Sequence, residues 1–313
     1  MSKIDAAIKQ ILYSIPDAGY KPYEPMSAHT SFGIGGPARV MFFPESTEAL
    51  AKLLGALAEQ DVHPLVIGNG TNLLVDDRPL DIAVIKTTGV NYIERTGEYE
   101  LTAGAGAPVK QISVKACECG LSGLEFAYGI PGTLGGAVTM NAGAYGGEIG
   151  GVVFSTTAYS PASGVALYDN DEHFFSYRSS RFSGHDLTVL SSVIRLQKED
   201  AKAIKALMDG YEARRNESQP LDLPSAGSVF KRPKQGYSAA LIEEAGLKGY
   251  RVGGAQVSDK HSGFIVNNGG AAFSDVVAVI EHVRETVFKR TGIELETEVR
   301  IIQNSECRMQ NAE

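Results

Sequence analysis

Two glycine-rich segments are the parts of this sequence whose composition most directly suggests chemistry. Residues 125–147 (EFAYGIPGTLGGAVTMNAGAYGG) hold seven glycines and no lysine or arginine, and the turn Gly68–Asn72 (GNGTN) lies between two apolar runs. Glycine reaches positive φ and lets backbone amides approach a ligand closely. Either segment alone is typical of a tight turn, but the two together favour a site where backbone N–H groups bind a large phosphorylated cofactor. This interpretation requires the two segments to lie close together.

Standard nucleotide-binding motifs do not account for these segments. The pattern G-x-x-x-x-G-K-[ST] does not occur in the sequence, which argues against a nucleoside triphosphatase. Residues 104–107 (GAGA) follow a predicted strand and precede a predicted helix, but the third glycine of a dinucleotide fingerprint is missing. An ordinary strand-to-helix turn is the favoured interpretation of 104–107. Any phosphate binding is therefore predicted to be of a non-Rossmann kind.

Three further segments carry polar groups of the types that serve in catalysis or ligand binding. Residues 177–182 (YRSSRF) place two arginines beside aromatics, and an arginine can neutralise an oxyanion with two hydrogen bonds. Residues 225–233 (SAGSVFKRP) combine Gly227, the hydroxyl of Ser228 and the cation Lys231. The alternative interpretation is a surface loop with aromatic anchors for 177–182, and a turn leading to an exposed basic strand end for 225–233. A plain serine nucleophile is disfavoured because G-x-S-x-G is absent.

The third segment is the alternating run 294–300 (ELETEVR), which places Glu294, Glu296, Glu298 and Arg300 on one face of a predicted strand. By the pattern alone this is a solvated face. Glu298 reaches a cleft only if the strand runs beneath a site.

Composition narrows the class of protein. The 313 residues are 43% hydrophobic and 21% charged, as in ordinary globular proteins, and the net charge of −8 argues against nucleic acid as a partner. Cys117, Cys119 and Cys307 form neither a disulfide framework nor, with six scattered histidines, a metal site. We expect reduced thiols, no metal, no leader peptide and no membrane span, because no run of 18 apolar residues occurs.

Periodicity predicts alternating helices and strands in an α+β arrangement. An amphipathic helix over 5–12 is followed by an irregular segment to Gly36. Strands are predicted at 39–43, 64–67, 73–75, 82–85, 99–103, 264–266 and 295–302, with antiparallel strands inside 151–195. Five further helices are predicted: one after the N-cap Ser46, one that ends at Gly120, one over 200–215, one over 238–245, and one from an N-cap at Ser274 to Gly292. The helix over 200–215 has an apolar stripe of Ile204, Leu207, Met208 and Tyr211.

Together these motifs resemble the flavoprotein family of UDP-N-acetylenolpyruvoylglucosamine reductases. The resemblance runs from 31–38 (SFGIGGPA) to 298–300 (EVR) and includes 67–75, 129–146, 177–178, 227–231 and 253–267. The lack of a large insertion between Ser228 and Glu298 resembles the shorter class of that family. Ala226 stands where many members are expected to have cysteine.

The resemblance implies a fold and an activity. The fold is an FAD-binding domain of the vanillyl-alcohol-oxidase type in two α+β lobes, 1–88 (with a strand in 295–313 returning near it) and 89–205, plus a smaller α+β substrate-binding domain at 206–294. The activity is NADPH-dependent reduction of an enolpyruvyl ether to UDP-N-acetylmuramate for peptidoglycan synthesis. FAD is bound, NADPH is the co-substrate, and the protein is cytoplasmic and a monomer or weak oligomer.

The resemblance also implies residue roles. Ser228 corresponds to the proton donor, Arg178 and Glu298 to the other two catalytic residues, and Tyr177 and Lys231 to substrate-binding residues. The implied cofactor-binding residues are Gly68, Asn69, Gly70, Thr71, Asn72, Gly129, Pro131, Gly132, Thr133, Gly135, Gly136, Asn141 and Gly143. Two alternatives remain: another FAD-dependent dehydrogenase or oxidase that acts on an alcohol, and a flavin-binding or nucleotide-sugar-binding protein without turnover.

Overall fold

A computed structural model describes residues 4, 5, 8, 11, 15, 19–184 and 187–304. The predicted helix at 5–12 lies largely outside the described residues. The chain forms two compact units. Unit 1 comprises 1–22, 40–69 and 82–214, and unit 2 comprises 23–39, 70–81 and 215–313. The domain boundaries implied by the resemblance, after residues 88 and 205, stay predictions.

The helices with described bounds are α1 (Thr47–Ala58), α2 (Val109–Glu118), α3 (Leu134–Thr139), α4 (Ala201–Ser218), α5 (Ser238–Glu244) and α6 (Phe273–Thr291). The strands are β1 (Gly19–Pro22), β2 (Ala38–Phe43), β3 (Leu65–Ile67), β4 (Leu73–Val75), β5 (Leu80–Lys86), β6 (Ile93–Arg95), β7 (Glu100–Gly104), β8 (Leu121–Ser122), β9 (Gly143–Ala144), β10 (Gly147–Glu148), β11 (Val153–Ser160), β12 (Gly164–Asp169), β13 (Thr188–Arg195), β14 (Gln197–Lys198), β15 (Ser225–Ser228), β16 (Arg251–Val252), β17 (Ala255–Val257), β18 (Phe264–Asn267) and β19 (Arg300–Ile302).

Unit 1 contains a five-stranded antiparallel sheet in the order β12-β11-β13-β7-β6. Helices α2 and α3 contribute to the apolar core on this sheet, with Val109, Ile112 and Leu134 buried. A second core forms around α1, whose N-cap Ser46 accepts a hydrogen bond from the Ala49 amide at 3.1 Å. Beside that core β3 pairs in parallel with β5. The glycine-rich turn at Gly68 therefore begins at the end of a short strand at a sheet edge.

Unit 2 is built on the antiparallel sheet β15-β18-β17-β16 and the long helix α6. Val276, Ile280 and Val283 on α6 are buried in the same core as Val229 of the segment that follows β15. The C-terminal strand β19 pairs in parallel with β4. This pairing brings residues around 300 beside residues around 72.

Several predicted elements differ from the structure. The segment up to Gly36 was predicted irregular, but it contains β1, which pairs antiparallel with β2. Leu207 is 52% exposed, so the buried stripe of α4 narrows to Ile204 and Met208. Ser274 is not the N-cap of α6, because the Phe273 amide binds Asp77 Oδ2 at 2.6 Å and Asp275 accepts the Ala272 amide at 3.0 Å.

The strand predicted over 295–302 is also shorter than expected, since only Arg300–Ile302 pairs with a neighbouring strand as a regular element. A single bridge joins Thr297 to Phe230 upstream. Leu295 and Val299 are nevertheless buried, which is why the alternation imitates a full strand.

Among the described residues, no helix is long and apolar enough to cross a bilayer.

Candidate active site

The two glycine-rich segments lie against each other within unit 1. Asn69 Nδ2 donates a hydrogen bond to the Pro131 carbonyl at 2.8 Å. A Cβ at Gly68 would lie 2.0 Å from Thr133 Oγ1, so position 68 has no room for a side chain. The close approach of the two segments, which the sequence interpretation required, is confirmed.

The segment 129–136 is fixed by backbone hydrogen bonds to residues 105–109. The Leu134 amide donates to Ala107 O at 2.9 Å, the Gly135 amide to Ala105 O at 2.8 Å, and the Val109 amide to Gly132 O at 3.1 Å. Residues 104–107 therefore act as a strand-to-helix turn that supports the loop, as predicted. These three hydrogen bonds fix the path of the loop backbone against residues 105–109.

The loop retains hydrogen-bond donors for an anionic ligand. Within the described part of the chain, the backbone N–H groups of Asn69, Gly132 and Thr133 have no acceptor. An amide cluster of this kind binds phosphate oxygens. Gly129 and Gly132 are half-buried, whereas Pro131 and Gly136 are exposed. These residues fit the pyrophosphate of a dinucleotide such as FAD.

Asn141 has a different environment from the other predicted cofactor residues. Its side chain is buried, its Nδ2 donates to Glu148 Oε2 at 2.9 Å and to Ser176 O at 3.0 Å, and its Oδ1 accepts the Gly150 amide at 2.9 Å. Its φ is +44°. Asn141 therefore ties the glycine-rich loop to the segment that carries Arg178. The sequence offered one indication of this, since asparagine is the residue that most readily takes positive φ after glycine.

Arg178 lies at the tip of a tight hairpin. The amides of Ser176 and Ser179 each donate to the other residue's carbonyl, at 3.0 and 3.1 Å. Arg178 has φ +54°, and its Nη2 lies 3.3 Å from the Gly143 carbonyl. Its guanidinium carbon lies 5.0 Å from the ring centroid of Tyr177, which is 48% exposed. An arginine in this backbone region is a strained residue of the kind found at functional sites.

In unit 2, Gly70–Asn72 lies beside the returning C-terminal chain. A Cβ at Gly70 would lie 2.1 Å from the His29 carbonyl, and the Gly70 carbonyl accepts the Ser31 amide at 3.2 Å. Asn72 Nδ2 donates to the Glu298 carbonyl at 3.0 Å, and the Asn72 carbonyl accepts the Arg300 amide at 3.0 Å. The end of this turn is therefore connected directly to Glu298.

Ser228 stands at the end of an irregular strand. The pairing of β15 with β18 shifts register between Ser225 and Ser228, where Gly227 has φ +75°. Among the described residues the Ser228 hydroxyl makes no hydrogen bond. A Cβ built on Gly263 would lie 3.2 Å from Ser228 Oγ, so the absence of a side chain there leaves space beside the hydroxyl. Ser228 is half-buried and can present its hydroxyl to a ligand.

Glu298 lies on the segment that pairs with the residues after Ser228. Phe230 bridges Thr297, and the amides of Glu298 and Val299 both donate to the Val229 carbonyl, at 2.7 and 3.4 Å. Two residues opposite one form a β-bulge, which bends a strand and redirects its side chains. Glu298 is half-buried rather than on a plain solvated face. Lys231 Nζ forms an ion pair with Glu296 Oε1 nearby.

His261 is a neighbour of this region that the sequence did not single out. A Cβ built on Gly263 would lie 3.0 Å from His261 Cε1, and the Gly263 amide donates to His261 Nδ1 at 3.2 Å. Burial lowers the pKa of the His261 imidazole, which favours the neutral ring. His261 therefore supports the backbone beside Ser228 without adding a positive charge.

The predicted residues thus fall into two groups, each within one unit. Unit 1 holds Gly68 and Asn69 together with residues 129–143 and the hairpin at 177–178. Unit 2 holds the remaining predicted residues: Gly70, Thr71, Asn72, Ser228, Lys231 and Glu298.

Comparisons with known proteins agree with these observations. Residues 38–160 match the model of an FAD binding domain, and residues 219–302 match that of the UDP-N-acetylenolpyruvoylglucosamine reductase C-terminal domain. Enzymes of that name from Thermotoga maritima and Agathobacter rectalis are 49% and 43% identical to this chain, over 89% and 94% of it and 97% and 98% of their own lengths.

A solved structure supports the same assignment. The crystal structure of UDP-N-acetylenolpyruvylglucosamine reductase from Thermus caldophilus is 32% identical and superposes with a TM-score of 0.77, covering 91% of this chain and 99% of that chain. The α+β class, with an FAD-binding domain and a separate C-terminal domain, is confirmed. The chain belongs to the UDP-N-acetylenolpyruvoylglucosamine reductase family.

Proposed function

We propose that this protein reduces UDP-N-acetylenolpyruvoylglucosamine to UDP-N-acetylmuramate with NADPH and bound FAD, a step of peptidoglycan precursor synthesis. The observation that carries this proposal is similarity over 97% of the length of a named reductase at 49% identity. We further propose that the protein is cytoplasmic, is a monomer or weak oligomer and does not bind nucleic acid, the last because its net charge is −8.

The cofactor role rests on backbone donors. Asn69, Gly132 and Thr133 supply unpaired amides in unit 1 that suit the FAD pyrophosphate. The other proposed cofactor residues shape the two segments: Gly68, Gly70, Thr71, Asn72, Gly129, Pro131, Gly135, Gly136, Asn141 and Gly143. Bound FAD supplies the hydride transfer from NADPH to the double bond of the substrate.

Side chains of the protein stabilise the negative charge that develops on the substrate and supply the proton that its carbon accepts. Hydride addition beside a carboxylate-bearing carbon leaves an enolate-like dianion on the substrate, and we assign Arg178 to stabilise the charge as it develops. Ser228 donates the proton to carbon. A hydroxyl can act as an acid here because the carbanion is strongly basic, and Lys231 favours the transient alkoxide. Glu298 or a nearby cation assists Arg178, and Tyr177 and Lys231 contact the substrate.

The test measures the two half-reactions separately with the purified flavoprotein under anaerobic conditions. NADPH should bleach the flavin absorption, and the enolpyruvyl sugar nucleotide should restore it. Bleaching without restoration by the sugar nucleotide, together with oxidation of an alcohol, would identify a different FAD-dependent enzyme. A yellow protein that NADPH does not bleach would identify a binding protein without turnover.

A further inference from the structure

Asn72 makes two hydrogen bonds to the segment 298–300 in unit 2, one on each side of Val299. Its side-chain Nδ2 donates to the carbonyl of Glu298 at 3.0 Å, and its backbone carbonyl accepts the amide of Arg300 at 3.0 Å. The first contact is made by the side chain and the second by the main chain. Only the first therefore depends on residue 72 being asparagine.

The segment held by Asn72 is irregular. The amides of Glu298 and Val299 share one acceptor, the Val229 carbonyl, so the chain bulges at this point between the Thr297 bridge and β19. A bulge disrupts the ladder locally and bends the strand, so the direction of the side chains depends on the contacts that hold the bulge. The side-chain Nδ2 of Asn72 donates to the Glu298 carbonyl at this bulge and so links it to the turn at residues 70–72.

The bulge is also connected to the strand that bears Ser228. Val229, which accepts the two amides, follows Ser228 directly, and its own amide donates to the Gly263 carbonyl at 2.9 Å. A change in the path of the chain at Glu298 therefore alters the backbone that presents the Ser228 hydroxyl. Misplacement of a catalytic group by about 1 Å can cost roughly 100-fold in rate.

We propose that the side chain of Asn72 is a positioning residue for Glu298 and Ser228, rather than a ligand of the cofactor. The inference rests on the proposed function, because it assumes that these two residues serve proton transfer to the substrate. It predicts that loss of the amide donor slows the step in which the substrate is reduced and spares the step in which NADPH reduces the flavin.

The main variant is Asn72→Asp, which keeps the shape of the side chain and removes the donor. Its matched control is Asn267→Asp in the same unit, which removes a donor to the Phe32 carbonyl (3.1 Å) but keeps the oxygen that accepts the amides of Gly269 and Ala271. Asn72→Ala removes the donor without adding a carboxylate and substitutes for Asn72→Asp if that variant does not fold.

Three quantities are measured for each holoenzyme: the dissociation constant of FAD, the rate of flavin reduction by NADPH, and the rate of flavin reoxidation by the enolpyruvyl sugar nucleotide. Both Asn72 variants should lower the reoxidation rate by about 10-fold or more, with flavin reduction and, in Asn72→Ala, FAD affinity within about two-fold of wild type. Asn267→Asp should leave all three unchanged.

Equal reoxidation rates in wild type and the Asn72 variants would overturn the inference. Loss of FAD affinity in Asn72→Ala with normal reoxidation at saturating FAD would also overturn it and would make the side chain a cofactor ligand. Failure of the wild-type flavin to be reoxidised by the sugar nucleotide would instead refute the proposed function itself.

Discussion

The hairpin of Arg178 and the strand of Ser228 hold proposed catalytic side chains on backbones that differ in where the strain falls. In the hairpin the functional residue itself has positive φ, +54° at Arg178. In the strand the positive φ, +75°, belongs to Gly227, and Ser228 follows it. A non-glycine residue in the left-handed region costs about 1–2 kcal/mol, whereas glycine has no such penalty. Position 178 therefore carries a strained arginine. Beside Ser228, the positive φ belongs to Gly227, which adopts it without strain.

The largest effect is expected for Ser228→Ala. Removal of the proton donor should slow flavin reoxidation by the sugar nucleotide by about 100- to 10,000-fold, while NADPH still reduces the flavin. Stopped-flow absorption of each half-reaction measures this. Ser225→Ala on the same strand is the control and should keep both rates. Normal turnover in Ser228→Ala would exclude the proton-donor role.

Arg178 should give the next largest effect and a test of the strain. Both Arg178→Ala and Arg178→Gly should slow reoxidation by roughly 100- to 1000-fold, because the guanidinium no longer stabilises developing charge. The free energy of unfolding of Arg178→Gly, measured with denaturant, should exceed that of Arg178→Ala by about 1 kcal/mol, since glycine accepts the positive φ. The opposite order of stability would show that the hairpin is not strained, and loss of flavin in both variants would indicate a structural role.

The sequence was sufficient to predict the parts of the fold and site that depend on local pattern. Strand 73–75 was placed at its observed bounds, the helix after Ser46 begins as its cap predicts, and the turn at 104–107 supports the following loop. The proximity of the two glycine-rich loops, seen in the hydrogen bond from Asn69 to Pro131, was predicted because both loops were assigned to one ligand. Local composition and the chemistry of the ligand were enough in these cases.

Contacts between distant residues could not be predicted in the same way. Asn72 and Glu298 are 226 positions apart, and Asn141 and Ser176 are 35 apart, so no periodicity connects them. The Glu294–Arg300 alternation predicted a regular strand, because burial of Leu295 and Val299 has the same pattern whether or not the chain bulges at Glu298. His261 was missed because its role depends on an absent side chain at Gly263, which the sequence shows only as one more glycine.

Gly227→Ala should have a smaller effect, on stability. An added Cβ meets no atom within 4 Å, so the expected cost of about 1–2 kcal/mol comes from the positive φ alone. Gly210→Ala is the matched control, because its added Cβ also meets no atom within 4 Å. Position 210 lies in helix α4, so this substitution should raise the free energy of unfolding, by at most about 1 kcal/mol. Denaturant unfolding measures both. Equal effects of the two substitutions would refute the assignment of the strain to Gly227.

The smallest expected effect concerns two histidines, the buried His173 in unit 1 and the half-buried His261 in unit 2. In unit 1, His173 has no exposed surface, its Nδ1 lies 3.1 Å from the Asn170 carbonyl, and its Nε2 has no partner among the described residues. Phe175 and Phe182 pack against the ring, with centroids at 5.0 and 5.4 Å. Burial lowers the pKa of His173, as it lowers the pKa of His261 in unit 2.

Because the folded state holds the pKa of His173 below that of the unfolded chain, the unfolded chain binds a proton first as the pH falls below about 6.5. The contribution of a neutral His173 to the free energy of unfolding is therefore complete above this pH. It is lost progressively as the pH falls toward the lower, folded-state pKa. His173→Phe, which keeps an aromatic ring in the apolar pocket, should lose less stability than wild type between pH 7.5 and pH 5.5 in urea unfolding. His261 should still contribute to the decline in that variant. An identical loss in wild type and His173→Phe would show that the imidazole of His173 takes up its proton equally in the folded and unfolded states.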